Sequence, residues 1–362
     1  MRNYFTFGQF DSRDFGVYIS GEGTYNAPAR VYDVISVPGR NGDLLIDRGK
    51  FENIFVKYPA FIAGDNFRSN LAAFRSAMLS GSGYARLTDT YHPDEFRLAY
   101  YGDPIEMTAR KQNNGAEFDI VFNCKPQRFL LSGETPVIFS ADGSITNPTL
   151  FDSKPSIKVS PANYIPYPYY ESTTTTRGIT YTDNGDGTIT ANGTANGYSY
   201  FDVLDDTQEV RLQAGTYIAR GCPTGGKINI MQWNGSANII IATMTGTEEI
   251  TFEITQEDAN MPVTVEIGVK SGTTLNNAVF APYIGATGGT KQLSIGDTVI
   301  TLGAISPYVI IDSEIEDCYR GTNNLNSQVS FSNGKFPVLK PGANGISVSG
   351  VTAEITPRWW RI

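Results

Sequence analysis

The chain has 362 residues, 40% of them hydrophobic and 12% aromatic, with a formal net charge of −9 and only 18% charged residues. That length allows two or three domains with a core each, and 37 glycines and 19 prolines beside many Thr, Tyr and Val favour strands and turns over helices. The acidic balance lacks the basic stripe of a general nucleic-acid binder, and no apolar run approaches the ~20 residues of a membrane span.

The first segment, Met1 to Phe10, has no apolar h-region, so it is not read as a signal peptide. From there to about residue 140 the pattern alternates. Val31, Asp33, Ile35 and Val37 share one strand face, as do Ile54, Val56 and Tyr58, and Phe118, Ile120, Phe122 and Cys124 oppose Glu117, Asp119 and Asn123. Such alternation predicts half-buried antiparallel strands, and Asn41-Gly42 predicts a two-residue turn. One stretch differs. Phe67, Leu71, Phe74 and Met78 form a helical stripe, with Asp65 placed to cap its start and Gly81 to end it.

Residues Asn147 to Val159 read as the opening strand of a second module that has no continuation beside it. The remainder resumes near Thr287, with strands at Val299–Thr301, Tyr308–Ile311, Val329–Phe331 and Ile346–Val348 and a turn at Lys340–Asn344. Between them lies a stretch rich in Thr, Gly, Asn and Tyr. There Ile250, Phe252 and Ile254 face inward, as do Val263, Val265, Ile267 and Val269, with Thr264 and Glu266 outward. Short strands with frequent turns predict a sandwich or jelly roll. The fold class is therefore mainly β: an N-terminal β-sandwich with one α-helix over residues 1–140, a C-terminal β-sandwich from 141–160 plus 287–362, and a jelly-roll-like β-sandwich inserted into it over 161–286. Domains are inserted readily at exposed loop tips.

Chemistry finds little purchase. His92 is the only histidine, in the turn-like Tyr91-His-Pro-Asp94, and no G-x-S-x-G pattern accompanies it, so a surface or interface role is expected. Asp183-Asn-Gly-Asp-Gly-Thr188 resembles a calcium loop, but the twelfth position is Thr194 where a bidentate carboxylate is needed, so a hairpin turn is expected and no metal. The acidic pairs Asp205-Asp206 and Glu248-Glu249 point to opposite faces of a strand, and Asp312, Glu314, Glu316 and Asp317 read as solvated strand ends. Arg40-Asn-Gly-Asp43 lacks phosphate-loop spacing. Cys124, Cys222 and Cys318 show no metal spacing and read as free thiols. No cofactor and no enzymatic activity are expected.

Aromatic residues of the insert are the suggestive signal. Tyr164-Ile-Pro-Tyr-Pro-Tyr-Tyr170 is followed by Tyr198 and Tyr200, and Trp233 alternates with Lys227, Asn229 and Met231 opposite Ile228 and Ile230. Sugar rings stack on exposed Tyr and Trp while amides read hydroxyls. Trp233, Tyr170, Tyr198, Tyr200 and Asn229 are the candidate glycan-binding residues. The competing reading is that these aromatics fill the sandwich or the seam between domains.

Val37-Pro-Gly-Arg-Asn-Gly-Asp-Leu-Leu-Ile-Asp47, followed by Tyr58-Pro-Ala-Phe-Ile62 and the helix, resembles the N-terminal belt domain of siphophage distal tail proteins. Tyr308-Val-Ile-Ile-Asp312, Asn333-Gly-Lys-Phe-Pro-Val-Leu-Lys-Pro-Gly342 and Thr356-Pro-Arg-Trp-Trp360, with the stretch Asn147–Val159, resemble that family's galectin-like second domain. The resemblance implies a homo-hexameric ring at the virion tail tip, joining the tail tube protein to a tail-tip hub protein (a tail-associated lysin or tail fibre). Phage DNA would pass through the ring without specific binding, and a receptor-binding protein would be a further partner. The insert is similar to a carbohydrate-binding module, which implies host cell-surface polysaccharide as its ligand. A strand-rich arm at Asp43–Tyr58 is expected to serve one side of the ring interface. The alternatives are a purely structural hub whose insert packs on neighbouring tail proteins, and a stand-alone glycan-binding or polysaccharide-degrading protein.

Overall fold

The computed structural model describes residues 2–21, 25–64, 66–109, 114–289 and 291–362. Strands dominate, with one α-helix among the described residues. The buried hydrophobic side chains fall into three clusters.

The first cluster lies inside one connected ten-stranded sheet rather than between two separate ones. Strands Ile54–Ala63 and Gly115–Cys124 pair along their full lengths, and their alternate residues Val56, Tyr58, Ile62, Ile120 and Phe122 are buried as the alternation predicts. A bridge between Asn3 and Ile19 brings distant strands together, so the sheet curls around helix Phe67–Ser80. The helix inserts Phe67, Phe74 and Met78, with Leu71 partly buried. Rings fill this core: Phe5 stacks on Tyr58 at 5.9 Å and meets Phe122 and Phe74 edge-on at 5.4 and 6.3 Å. Asp65, the expected helix cap, lies outside the described residues. Asn66 takes the N-cap position without a side-chain hydrogen bond. Gly81 does follow the last helical residue, but with an extended backbone (φ −86°) instead of the left-handed one expected of a glycine cap.

The second cluster sits between a five-stranded and a six-stranded sheet. Residues 147–159 are not one strand. Gly143–Asn147 belongs to one sheet, pairing with Gly342–Ser349, and Ser156–Pro161 belongs to the other, pairing with Val309–Asp312 and Val351–Thr356. The crossing between them is fixed by the buried Asn147, whose amide donates to the carbonyls of Phe151 and Leu339 at 2.9 Å each. Strand Val137–Phe139 also pairs with Val351–Thr356, and Phe139 is buried in this second core.

The third cluster, from Ile165 to Ile284, lies among sheets of four, four and three strands. The two chain crossings are tied together: Tyr164 N–H donates to the Ile284 carbonyl (2.8 Å), and the Asn163 side chain accepts from Ile284 N–H (3.0 Å) and donates to the Pro282 carbonyl (3.1 Å). Ala162 N–H donates to Gly350 in the second core's sheet (3.1 Å).

The final residues join the first and second cores. Trp360 and Arg361 pair with Phe129 and Arg128, Trp360 stacks on Phe151 at 4.4 Å, and Arg358 forms a two-pronged bond to Asp312 at 2.7 and 2.8 Å. Burial alone would raise the Asp312 carboxyl, but the guanidinium pairing brings it below its ordinary value.

Candidate functional site

Two surfaces stand apart from the cores. The first is a ribbon of strands Arg30–Ile35 and Leu44–Phe51, which pair with each other and, among the described residues, with no other strand. The alternation of Val31, Asp33 and Ile35 predicted a half-buried strand. Val31 and Asp33 are half-buried, but the ribbon's apolar side chains largely meet solvent, with Val34 60% and Leu45 59% exposed and Tyr32, Ile35, Leu44 and Ile46 also exposed. Alternation reports which residues share a face, not whether anything in the same chain covers that face. Asn41-Gly42 does not make a two-residue turn either, because Ile35 pairs with Leu44 across an eight-residue loop, 36–43. Its bend comes earlier, where Arg40 N–H donates to the Val37 carbonyl at 3.2 Å and Gly39 has φ +80° after Pro38, as a type II turn requires. The arm therefore spans Arg30–Phe51; Ile54–Tyr58 belongs to the first core's sheet. Ion pairs Arg30–Asp47 and Arg48–Asp33 run along it. A lone two-stranded ribbon is marginal in water.

The second surface is the outer face of the insert's sheet, ordered Ser199–Leu204, Val263–Val269, Gly226–Trp233, Asn238–Thr245. Its register places Tyr200, Gly268 and Lys227 in one row and Asp202, Glu266 and Asn229 in the next. The Tyr198 phenol lies across Gly268, where a Cβ would sit 2.2 Å from the phenol oxygen. That hydroxyl donates to Glu266 Oε1 at 2.5 Å. The Asn229 amide donates to the Tyr198 oxygen (3.2 Å) and to Glu266 (2.8 Å), and accepts from Thr243 (3.1 Å). Lys227 Nζ sits 4.7 Å from the Tyr198 ring centre. Burial, and then the Glu266 bond and charge, push the Tyr198 phenol well above its ordinary range. Asp202 is pushed up to about 6 by burial and by the charges of Glu171, Glu266 and Asp205. Glu171 stands close because its carboxylate accepts the Asp202 N–H at 3.0 Å.

The five candidate residues are only partly brought together. Tyr198, Tyr200 and Asn229 share one end of this face, and Trp233 lies on the same face six residues along its strand from Lys227, about 20 Å away. Trp233 is half-buried, and Tyr198 and Tyr200 are exposed. Asn229 is 3% exposed and its amide is occupied, so it holds Tyr198 and Glu266 in place. Tyr170 is exposed on a segment that runs beside Ser199–Leu204, its N–H donating to the Val203 carbonyl at 3.0 Å. Thr264 was expected to face solvent. It is 4% exposed, and its hydroxyl donates to Asn238 at 3.1 Å. The grouping of Asp202, Glu266 and Glu171 was not foreseen. Alternation puts the first two on outer faces, but only strand register makes them neighbours.

Elsewhere polar groups are engaged structurally. His92 is half-buried at the surface: Nδ1 lies 3.1 Å from Asp89, which also accepts from the Tyr58 hydroxyl at 2.5 Å, and the exposed Tyr25 ring meets it edge-on at 5.1 Å. Residues 184–188 form the expected hairpin turn, closed by Asn184 N–H to the Thr188 carbonyl at 3.1 Å. Asp205 caps the short helix Asp206–Gln208. Asp312 is not a solvated strand end but is buried against Arg358. Cys124, Cys222 and Cys318 are free and buried, their thiols pushed up to about 12, 11 and 12 by desolvation. No helix among the described residues is long and apolar enough to cross a membrane.

No family model matches the chain, and no curated protein does. Among solved structures, the chain is similar over its whole length to the Dit protein of SPP1, described as a paradigm of the hub adsorption apparatus in phages infecting Gram-positive hosts. The two are 8% identical, each is covered to 100%, and the TM-score is 0.48. It is also similar to chains of the phage p2 baseplate in its activated conformation. With strontium the identity is 11%, the coverage 99% of this chain and 98% of the other, and the TM-score 0.32. With calcium the identity is 11%, the coverage 98% of each and the TM-score 0.33.

Proposed function

We propose that this chain is a structural, non-catalytic subunit of the tail tip of a long-tailed phage, assembling as a ring of six between the tail tube and the tail-tip hub. We further read residues 1–136 as the ring-forming domain, 137–161 plus 287–362 as the second sandwich, because Val137–Phe139 and Ser156–Pro161 both pair with Val351–Thr356, and 162–286 as an inserted glycan-binding domain. The observation that carries the assembly reading is the arm Arg30–Phe51. It exposes Tyr32, Val34, Ile35, Leu44, Leu45 and Ile46, which nothing among the described residues covers. Apolar surface of this kind marks a contact with another chain, and a ring requires such a patch on one side of each subunit. Most of the arm's loop and the first half of its second strand form the segment Val37–Asp47, where the resemblance to distal tail proteins begins.

The native mass of the full-length protein, by light scattering on a sizing column, tests the assembly. A mass near six times 39.5 kDa is expected. A single-chain mass that persists when tail tube protein is added refutes the ring.

The glycan reading of the insert rests on Tyr200 and Tyr198, exposed above a row of polar groups, and on half-buried Trp233 on the same face. Stacking on such rings gives weak single-site affinity, which six copies on one ring convert to firm attachment. Binding of the full-length protein to host cell-wall polysaccharide, lost on Tyr200→Ala, supports it; equal binding by wild type and variant refutes it.

A further inference from the structure

The insert ends its outer sheet in a strand without charges, proline or brevity to protect it. Asn238–Thr245 pairs with Gly226–Trp233 on one side and, among the described residues, with no strand on the other. It is eight residues long, and no charged residue or proline occurs from Asn234 to Thr247. Ile239 and Ile240, on opposite faces of the sheet, are 49% and 56% exposed. Proteins normally blunt a free edge with charges, proline or brevity, because its unpaired N–H and C=O groups template a further strand. Elsewhere in this molecule most edges do so, and the one long uncharged edge besides, Thr274–Phe280, is broken by a bulge at Asn276–Asn277, where Asn277 has φ +50°. The arm carries Arg30, Asp33, Asp47 and Arg48, the edge strand Ile250–Ile254 carries Glu253, and Val137–Phe139 and Val329–Phe331 are three residues each. One device is present here, an irregularity at Ile241 in the pairing with the neighbouring strand. It leaves Asn238–Ile240 in regular register on the side where the isoleucines are exposed.

We propose that this edge is an interaction surface whose partner is the same strand of a second copy of this chain, added to continue the sheet from one insert into the next. Charge complementarity selects the occupant. An added strand meets isoleucine on both faces and no counter-ion within fourteen residues, 234–247, so a charged strand would be desolvated there without compensation. The charged edges of this molecule are excluded on that ground and Thr274–Phe280 by its bulge, whereas Asn238–Thr245 itself is long, uncharged and apolar on both faces. Main-chain hydrogen bonds would supply affinity, and the isoleucines on alternate faces would set the register. This contact is separate from the arm and does not require the ring.

Hydrogen exchange by mass spectrometry on the full-length protein, at about 1 and about 100 µM, tests it, since mass action must transfer pairing to the edge amides. Peptides spanning 238–245 are expected to gain at least about tenfold protection with concentration. Ile240→Lys removes that gain and Ile240→Val keeps it, while the arm peptides 30–51 respond identically in all three proteins. The inference is overturned if the edge peptides show no concentration dependence. It is equally overturned if the gain survives Ile240→Lys, or if Leu45→Asp in the arm abolishes it, which would make it a by-product of arm-mediated assembly.

Discussion

Replacing Asp202 by Asn should make the insert more stable at neutral pH and remove part of its pH dependence. The wild-type carboxyl, held at about 6 by burial and by Glu171, Glu266 and Asp205, keeps its proton in the fold after an unfolded Asp, at 3.8, has lost it. Between about pH 4 and 6 the native state therefore binds more protons. Stability falls as pH rises through that window and levels off above it. Holding a carboxyl at about 6 against an ordinary 3.8 costs the fold at most about 3 kcal/mol once it is ionised. Asp202 keeps some contact with water, so roughly 1–2 kcal/mol is the expected gain from Asp202→Asn at pH 8. Because the chain has three separate cores, a global melting curve would mix their transitions, and a local assay is needed. Hydrogen exchange of peptides 199–204 and 263–269, corrected for intrinsic rates, should show wild-type protection falling roughly five- to tenfold from pH 5 to pH 8. The variant should show a flatter profile and more protection at pH 8. If wild type and variant lose protection in parallel, the crowding of three carboxylates on this face is not what the insert feels.

Four further outcomes follow from particular contacts. Leu45→Asp, at a position 59% exposed in the single chain, should leave the fold intact but reduce the assembled mass to that of one chain, because an interface would have to bury an unpaired carboxylate at a cost of several kcal/mol; light scattering reads it directly. Gly268→Ala places a Cβ 2.2 Å from the Tyr198 oxygen and 2.7 Å from Lys227 Cε. It should swing Tyr198 away from Glu266, costing about 1–2 kcal/mol, and a double-mutant cycle with Tyr198→Phe should show the two effects are not additive. Trp233→Ala should weaken glycan retention less than Tyr200→Ala if binding centres on the Tyr198–Tyr200 end, and a pull-down on host polysaccharide ranks the two. All three thiols should resist a thiol reagent in the native protein at pH 8, since burial raises each to about 11 or 12, and react together on denaturation.

Core positions were the legible part of the sequence. The alternation of Ile54, Val56 and Tyr58, the stripe of Phe67, Phe74 and Met78, and the run Val263 to Val269 all found the interior, because the periods 2 and 3.6 are written directly into side-chain direction. Pairing was not legible. Nothing local in Asn147–Val159 shows that its two ends enter different sheets, and nothing in Arg30–Phe51 shows that its apolar faces go uncovered. The candidate site suffered for the same reason. Tyr198, Tyr200 and Trp233 were found as aromatics, but the row Asp202–Glu266–Asn229 exists only through strand register. Asn229, chosen for its amide, proved to have spent it on Tyr198 and Glu266.

The way the second sandwich is threaded has a consequence for synthesis. Its strand Ser156–Pro161 takes both neighbours from beyond the insert, at Val309–Asp312 and Val351–Thr356. From Pro161 to Val309 is about 148 residues, which a ribosome adding ~5–20 residues per second needs roughly 7–30 s to make. Through that interval Ile157 and Val159 have no partner strand, while the insert, whose buried cluster lies wholly between Ile165 and Ile284, can collapse as soon as it emerges. The guest thus folds before its host, and the host closes only when residues 351–361 arrive and also reach back to Phe129. A nascent chain halted near residue 290 should therefore carry a finished insert flanked by an open, sticky half-sandwich, the state in which a chaperone would find it.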